Sequence, residues 1–274
     1  MPVIAIVNRK GGSGKSTLAT QLAGHLAQRG LGVMLGDMDR QQSTAPWLRR
    51  RAAQSTPAAA VVGWAVDPKN VLRPPAGVTH VVIDTPGALQ GFELARVLML
   101  ADAVLIPLCN AAFDRESAAA CLAEVRRHPR VASGRCKVAT VGMRIDARTS
   151  GEQRLLRWAE DHHVPFIATL REAQVYVRCV EHGLTIFDLP ASRVQTDLEQ
   201  WQPILQWLAP LLDTAAPADA APAQPRRVAA PACVPRTGVN AVERGRSLAL
   251  PEPGATGLRR WLGWLLPPRP QARL

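Results

Sequence analysis

Residues 8–17 read Asn-Arg-Lys-Gly-Gly-Ser-Gly-Lys-Ser-Thr, and this stretch limits the fold of the chain more than any other. It follows the apolar run from Val3 to Val7 and precedes Leu18-Ala19-Thr20-Gln21-Leu22-Ala23, whose apolar positions recur at helical spacing. Strand, glycine loop and helix together form the context that a phosphate-binding loop requires. Gly11, Gly12 and Gly14 free the backbone to converge several N–H groups on phosphate oxygens. Lys15 offers a mobile positive charge to the β- and γ-phosphates, Ser16 offers a hydroxyl to Mg2+, and the helix start adds its own partial charge.

Two further strand ends carry carboxylates. Residues 80–87, His-Val-Val-Ile-Asp-Thr-Pro-Gly, read as a buried strand ending on Asp84 and a glycine turn, the pattern of a Walker B element. Asp84 is placed to hold the Mg2+ shell through water, because Mg2+ keeps several waters and takes few carboxylates. Gly87 can let the backbone approach the γ-phosphate as part of a switch loop. The strand Gly32–Gly36 leads into Asp37-Met38-Asp39, whose carboxylates face the same crevice if the sheet is parallel. The lesser alternative is that they cap the helix that follows.

Further strands are expected at Val61–Ala65, Ala103–Leu108, Lys137–Met143 and Val164–Ala168. Helices are expected from Thr44 to Arg51, from Asp114 as cap to His128, from Ser150 to His162, from Arg171 to His182 and from Ser192 to Leu212. In the first of these, Trp47 and Leu48 point inward, while Arg49, Arg50 and Arg51 form a solvated face or a DNA contact. Strands alternating with helices over residues 1–212 predict an α/β fold, a mostly parallel twisted sheet with helices on both faces.

The loop departs from the general pattern G-x-x-x-x-G-K-[ST], since Arg9 stands where its first glycine belongs and Lys10 follows. This K-G-G-x-G-K-[ST]-T form resembles the deviant Walker A loop of the ParA/MinD family of ATPases. The resemblance spans residues 1–212 and is nearest to the short ParA-type partition ATPases. It implies ATP and Mg2+ as ligands, with Lys10, Gly11, Gly12, Ser13, Gly14, Lys15, Ser16 and Thr17 around the phosphates. By the same resemblance Lys10 reaches the phosphates of a second subunit, giving a homodimer on ATP. Asp39 activates the attacking water beside Lys10 and Lys15, and Asp37 joins Ser16 and Asp84 in the Mg2+ network.

Arg40 replaces the family's usual proline, and Met143-Arg144 stands where a relative carries an adenine-reading Asn, so the adenine contact stays unassigned. The function implied is partition of DNA: non-specific DNA binding by the ATP state, and slow hydrolysis stimulated by a ParB-like centromere-binding protein. Two alternatives stand beside it. One is a MinD-like or cargo-positioning ATPase acting on membrane or a protein scaffold, and the other is an ATP-dependent biosynthetic enzyme.

Composition enters at three points. The net charge of +11 favours an anionic polymer or surface as partner. Five scattered cysteines without a C-x-x-C pair predict reduced thiols and a cytoplasmic location, which the resemblance to partition ATPases makes nucleoid-associated, and no run is long enough to span a membrane. From residue 213 alanine and proline dominate and arginines outnumber carboxylates, which predicts a disordered tail over 213–274. Within it, Leu258, Trp261, Leu262 and Leu265 share one helical face in the segment 257–266, suited to a partner, to weak membrane contact, or to no function.

Overall fold

A computed structural model describes residues 1–39, 42–54, 58–65, 74–146 and 148–212. The expected tail with its segment 257–266, and the Arg40 substitution, lie outside the described residues. In chain order the elements are β1 (Val3–Ile6), α1 (Lys15–Gln28), β2 (Val33–Asp37), α2 (Ala45–Ala52), β3 (Val61–Ala65) and β4 (His80–Asp84). There follow α3 (Gly91–Leu100), β5 (Ala103–Leu108), α4 (Ala112–Arg127), the single turn α5 (Pro129–Ala132), β6 (Lys137–Ile145) and α6 (Gly151–Asp161). The last elements are β7 (Phe166–Arg171), α7 (Gln174–Glu181), a 3-10 turn (Ile186–Asp188) and α8 (Ala191–Leu212).

The strands form one parallel sheet in the order β3-β2-β4-β1-β5-β6-β7. Both faces are covered, so β1, β2, β4 and β5 are buried along their whole length, as parallel strands between helix layers must be. Side chains alternate across the pleat: Ile4 and Ile6 enter a core with α1, α7 and α8, while Val3, Ala5 and Val7 enter one with α3, α4 and α6. From β1 the chain turns first toward β2 and later toward β5, so the loop after β1 opens at the switch point where α/β sheets bind ligands. No helix among the described residues is long and apolar enough to cross a membrane.

Four expectations are corrected. Arg51 is buried rather than part of a solvated face: its guanidinium grips Asp188 at 2.9 and 3.2 Å and lies over the Trp47 ring. Arg171 belongs to β7, not to the next helix, because it pairs bidentately with the buried Asp197 of α8 at 2.9 and 2.8 Å. The residue before α4 is Ala111, and Asp114 sits in its first turn, ion-paired with Lys10 instead of capping. The long last helix is broken at Val194, where φ is −133° and ψ is 19°.

Candidate functional site

The glycine loop leaves the sheet at Asn8, whose side chain donates to the Pro107 carbonyl at 2.7 Å and accepts from the Lys10 amide at 3.0 Å. Gly12 and Gly14 adopt φ of +73° and +96°, a region that side chains disfavour. At Gly14 a Cβ would also stand 2.8 Å from the Met143 Cε, so the end of β6 packs directly on the loop. The Gly87 turn crosses over the loop from the other side, and a Cβ there would meet the Gly11 backbone at 3.4 Å. α1 begins at Lys15, which aims its N-terminus at the loop's hollow.

Charge is concentrated below that hollow. Lys15 is buried and donates to the Lys10 carbonyl at 2.9 Å. Burial lowers its pKa, against the pull of Asp84, Asp39 and Cys121. Asp84 is 1% exposed, and among the described residues neither carboxylate oxygen has a hydrogen-bond partner of normal geometry. Burial pushes its pKa up to about 7; the Ser16 hydroxyl and Lys15 oppose this, and Asp37 and Asp39 add to it. A buried carboxylate left without partners beside a hydroxyl and next to strands carrying more carboxylate is a donor set of hard oxygens. It fits Mg2+, with Asp84 and Ser16 as the residues that would hold it, directly or through water.

The two carboxylates after β2 separate in role. Asp37, opposite Asp84 in the sheet register, accepts from the Asp39 amide at 2.9 Å, the Thr44 amide at 2.9 Å and the Thr44 hydroxyl at 2.7 Å. It shapes the turn and anchors the start of α2. Asp39 is half-buried and lines the nucleotide-sized cleft together with Gly11, Lys15 and Gly87.

That cleft has a volume of about 620 Å3 and also takes in Ser16 and Thr17. Lys10 does not line it: its ammonium is ion-paired with Asp114 on the loop's outer flank. Ser13 is buried beneath the loop, its hydroxyl without a partner. Sequence reasoning missed the opposite wall, built by Arg144, Arg171 and Tyr176 from β6, β7 and α7. No motif marks those residues. The one available signal was Met143-Arg144 at a strand end facing the same edge as the loop.

A model of the CobQ/CobB/MinD/ParA nucleotide-binding domain matches residues 4–186. The maintenance of carboxysome distribution protein A of Gloeobacter kilaueensis is 34% identical over 195 residues, covering 67% of this chain and 83% of that protein. Protein ParA of Rhizobium radiobacter is 30% identical over 115 residues, 42% of this chain and 51% of that protein. Among solved structures, apo McdA of Cyanothece superposes with a TM-score of 0.58 at 16% identity, covering 75% of this chain and 99% of that one. The last likeness speaks for the fold.

Proposed function

Because the chain belongs to the CobQ/CobB/MinD/ParA nucleotide-binding family, we propose that it is an ATPase that positions a cellular cargo by dimerising on ATP. The observation that carries this reading is the meeting of Lys15, Ser16 and Asp39 in one glycine-lined hollow, with the buried Asp84 carboxylate felt by all three from behind it. Little covalent chemistry falls to a protein in phosphoryl transfer, so positioning and charge neutralisation are the work to be done. Lys15 and the loop amides hold the phosphates, and Asp39 orients the attacking water from the cleft wall. The partner subunit's Lys10 adds a cation once two copies close face to face. Asp84 and Ser16 would hold Mg2+, which when bound would supply positive charge to the phosphate oxygens.

The cargo favoured is a protein body of the kind named in the carboxysome-distribution relative, with DNA as a non-specific track for the ATP-bound dimer. The net charge of +11 suits that track, and affinity for DNA should fall steeply with salt. The ParA relative supports a second reading, in which the cargo is a replicon and a ParB-like protein stimulates hydrolysis.

Phosphate release from Mg2+-ATP by the full chain tests the activity. Slow release by the wild type, raised by plasmid DNA together with a cargo-bound partner and absent in Lys15→Ala, is expected. Failure of the wild type to bind or hydrolyse ATP would overturn the proposal. Co-sedimentation with plasmid DNA or with liposomes under ATP separates a DNA track from a membrane.

A further inference from the structure

Several carbonyls of the phosphate loop are held by neighbours, two from the loops after β4 and β5 and one from α1 itself. The Arg9 carbonyl accepts from the Ala88 amide, the Ser13 carbonyl from the Cys109 thiol at 3.9 Å, and the Gly14 carbonyl from the Leu18 amide at 2.9 Å. The Gly12 carbonyl accepts from the Arg144 guanidinium, which also rests 3.8 Å from the Cys109 sulfur. A peptide unit is planar and trans, so its C=O and N–H point in opposite directions. Holding the Gly12 carbonyl therefore fixes the direction of the Ser13 N–H, one of the donors a phosphate cradle is made from.

The backbone is bent to allow this contact. Arg144 has φ of +54°, a sparsely populated value for a residue with a side chain, and the pairing of β6 with β7 slips register between Met143 and Ile145. That bulge sends Met143 under Gly14 and turns Arg144 across the loop. Local strain of this kind persists only where the surroundings hold it in place, and it collects at functional sites.

We propose that Arg144 is a positioning residue for nucleotide binding: its hydrogen bond to the Gly12 carbonyl presets the phosphate loop in its anion-accepting form. The inference rests on the proposed function and names a residue that the motif does not contain. The role proposed for Arg144 runs through the loop backbone, although the residue also lines the cleft. Its loss therefore weakens every ligand that uses the loop to the same extent.

The test is titration of the full chain with Mg2+-ATP, Mg2+-ADP and Mg2+-GTP, comparing wild type, Arg144→Ala and Arg144→Lys. Alanine keeps the Cβ and hence the backbone cost at this φ, so the comparison isolates the guanidinium. Arg144→Ala is expected to weaken ATP and ADP equally, by about tenfold or more, as for a lost charge-assisted hydrogen bond, with Arg144→Lys intermediate. Far-ultraviolet circular dichroism checks that both variants keep the wild-type fold, which is expected because the side chain is exposed. Unaltered ADP affinity in Arg144→Ala overturns the proposal, as does a loss confined to ATP or a changed preference between ATP and GTP. A wild type that binds none of the three defeats the proposed function itself, a result distinct from normal wild-type binding with an unaltered variant.

Discussion

The Lys10 ammonium is ion-paired with the Asp114 carboxylate in the first turn of α4, tying the phosphate loop to a helix of the same subunit. The lysine side chain is 39% exposed and its partner 14%. An ion pair open to water is worth only about 0.2–1 kcal/mol. Little therefore prevents Lys10 from exchanging one carboxylate for the several charges of a triphosphate in a second copy. Lys10→Ala should keep nucleotide binding, since Lys10 does not line the cleft, and lose ATP-dependent dimerisation and turnover. Nucleotide titration beside light scattering checks both halves, and an ATPase rate equal to wild type would remove the role given to Lys10.

Asp39 and Lys15 line the same cleft, and Asp37 fixes the turn that carries Asp39 through the hydrogen bond to its amide. Removing the carboxylate that orients water, without touching the loop, should leave ATP bound and uncleaved. Asp39→Ala is expected to accumulate as an ATP-bound dimer. Light scattering that finds a monomer at saturating ATP would count against this assignment.

Burial raises the Asp84 carboxyl from 3.8 to about 7 in the folded chain. Between those values the folded state holds a proton that the unfolded state has released, so stability falls as pH rises across that window. Mg2+ with nucleotide favours the ionised form and should offset the loss near neutral pH. Thermal midpoints of the nucleotide-free chain from about pH 4 to pH 7 are expected to decline in the wild type and to decline less in Asp84→Asn, which carries no titrating group. The same variant should lose the Mg2+ dependence of ATP binding. Identical pH curves for the two chains would show that Asp84 does not titrate in this range.

Adjacent arginines of α2 should behave differently. Arg51 is sealed in with Asp188, the two side chains being 3% and 7% exposed, and also donates to the Ala59 and Gly183 carbonyls. Removing one member of a buried pair leaves the other charge uncompensated, at a cost of about 3–5 kcal/mol. Arg50 is exposed, and its guanidinium makes a long contact to the Val180 carbonyl at 3.5 Å. Its truncation should fall within about 0.5 kcal/mol of wild type. Urea denaturation of Arg51→Ala and Arg50→Ala measures the contrast.

The loop from Asn8 to Thr17, the Asp84 strand end and the alternation of strands with helices could all be read from the chain, for one physical reason. Dihedral freedom at glycine, side-chain periodicity and the chemistry of adjacent polar groups are properties of neighbouring residues. They announce themselves wherever the chain folds. Tertiary structure alone decided the rest. Arg51 looked like its two neighbours until folding brought Asp188, 137 positions away, against it. Asp114 had the place of a helix cap until the loop's Lys10 reached it, and Arg144 meets Gly12 across 132 residues. Which carboxylate meets which cation depends on strand order and on what is shut away from water, and neither is a local property of the sequence.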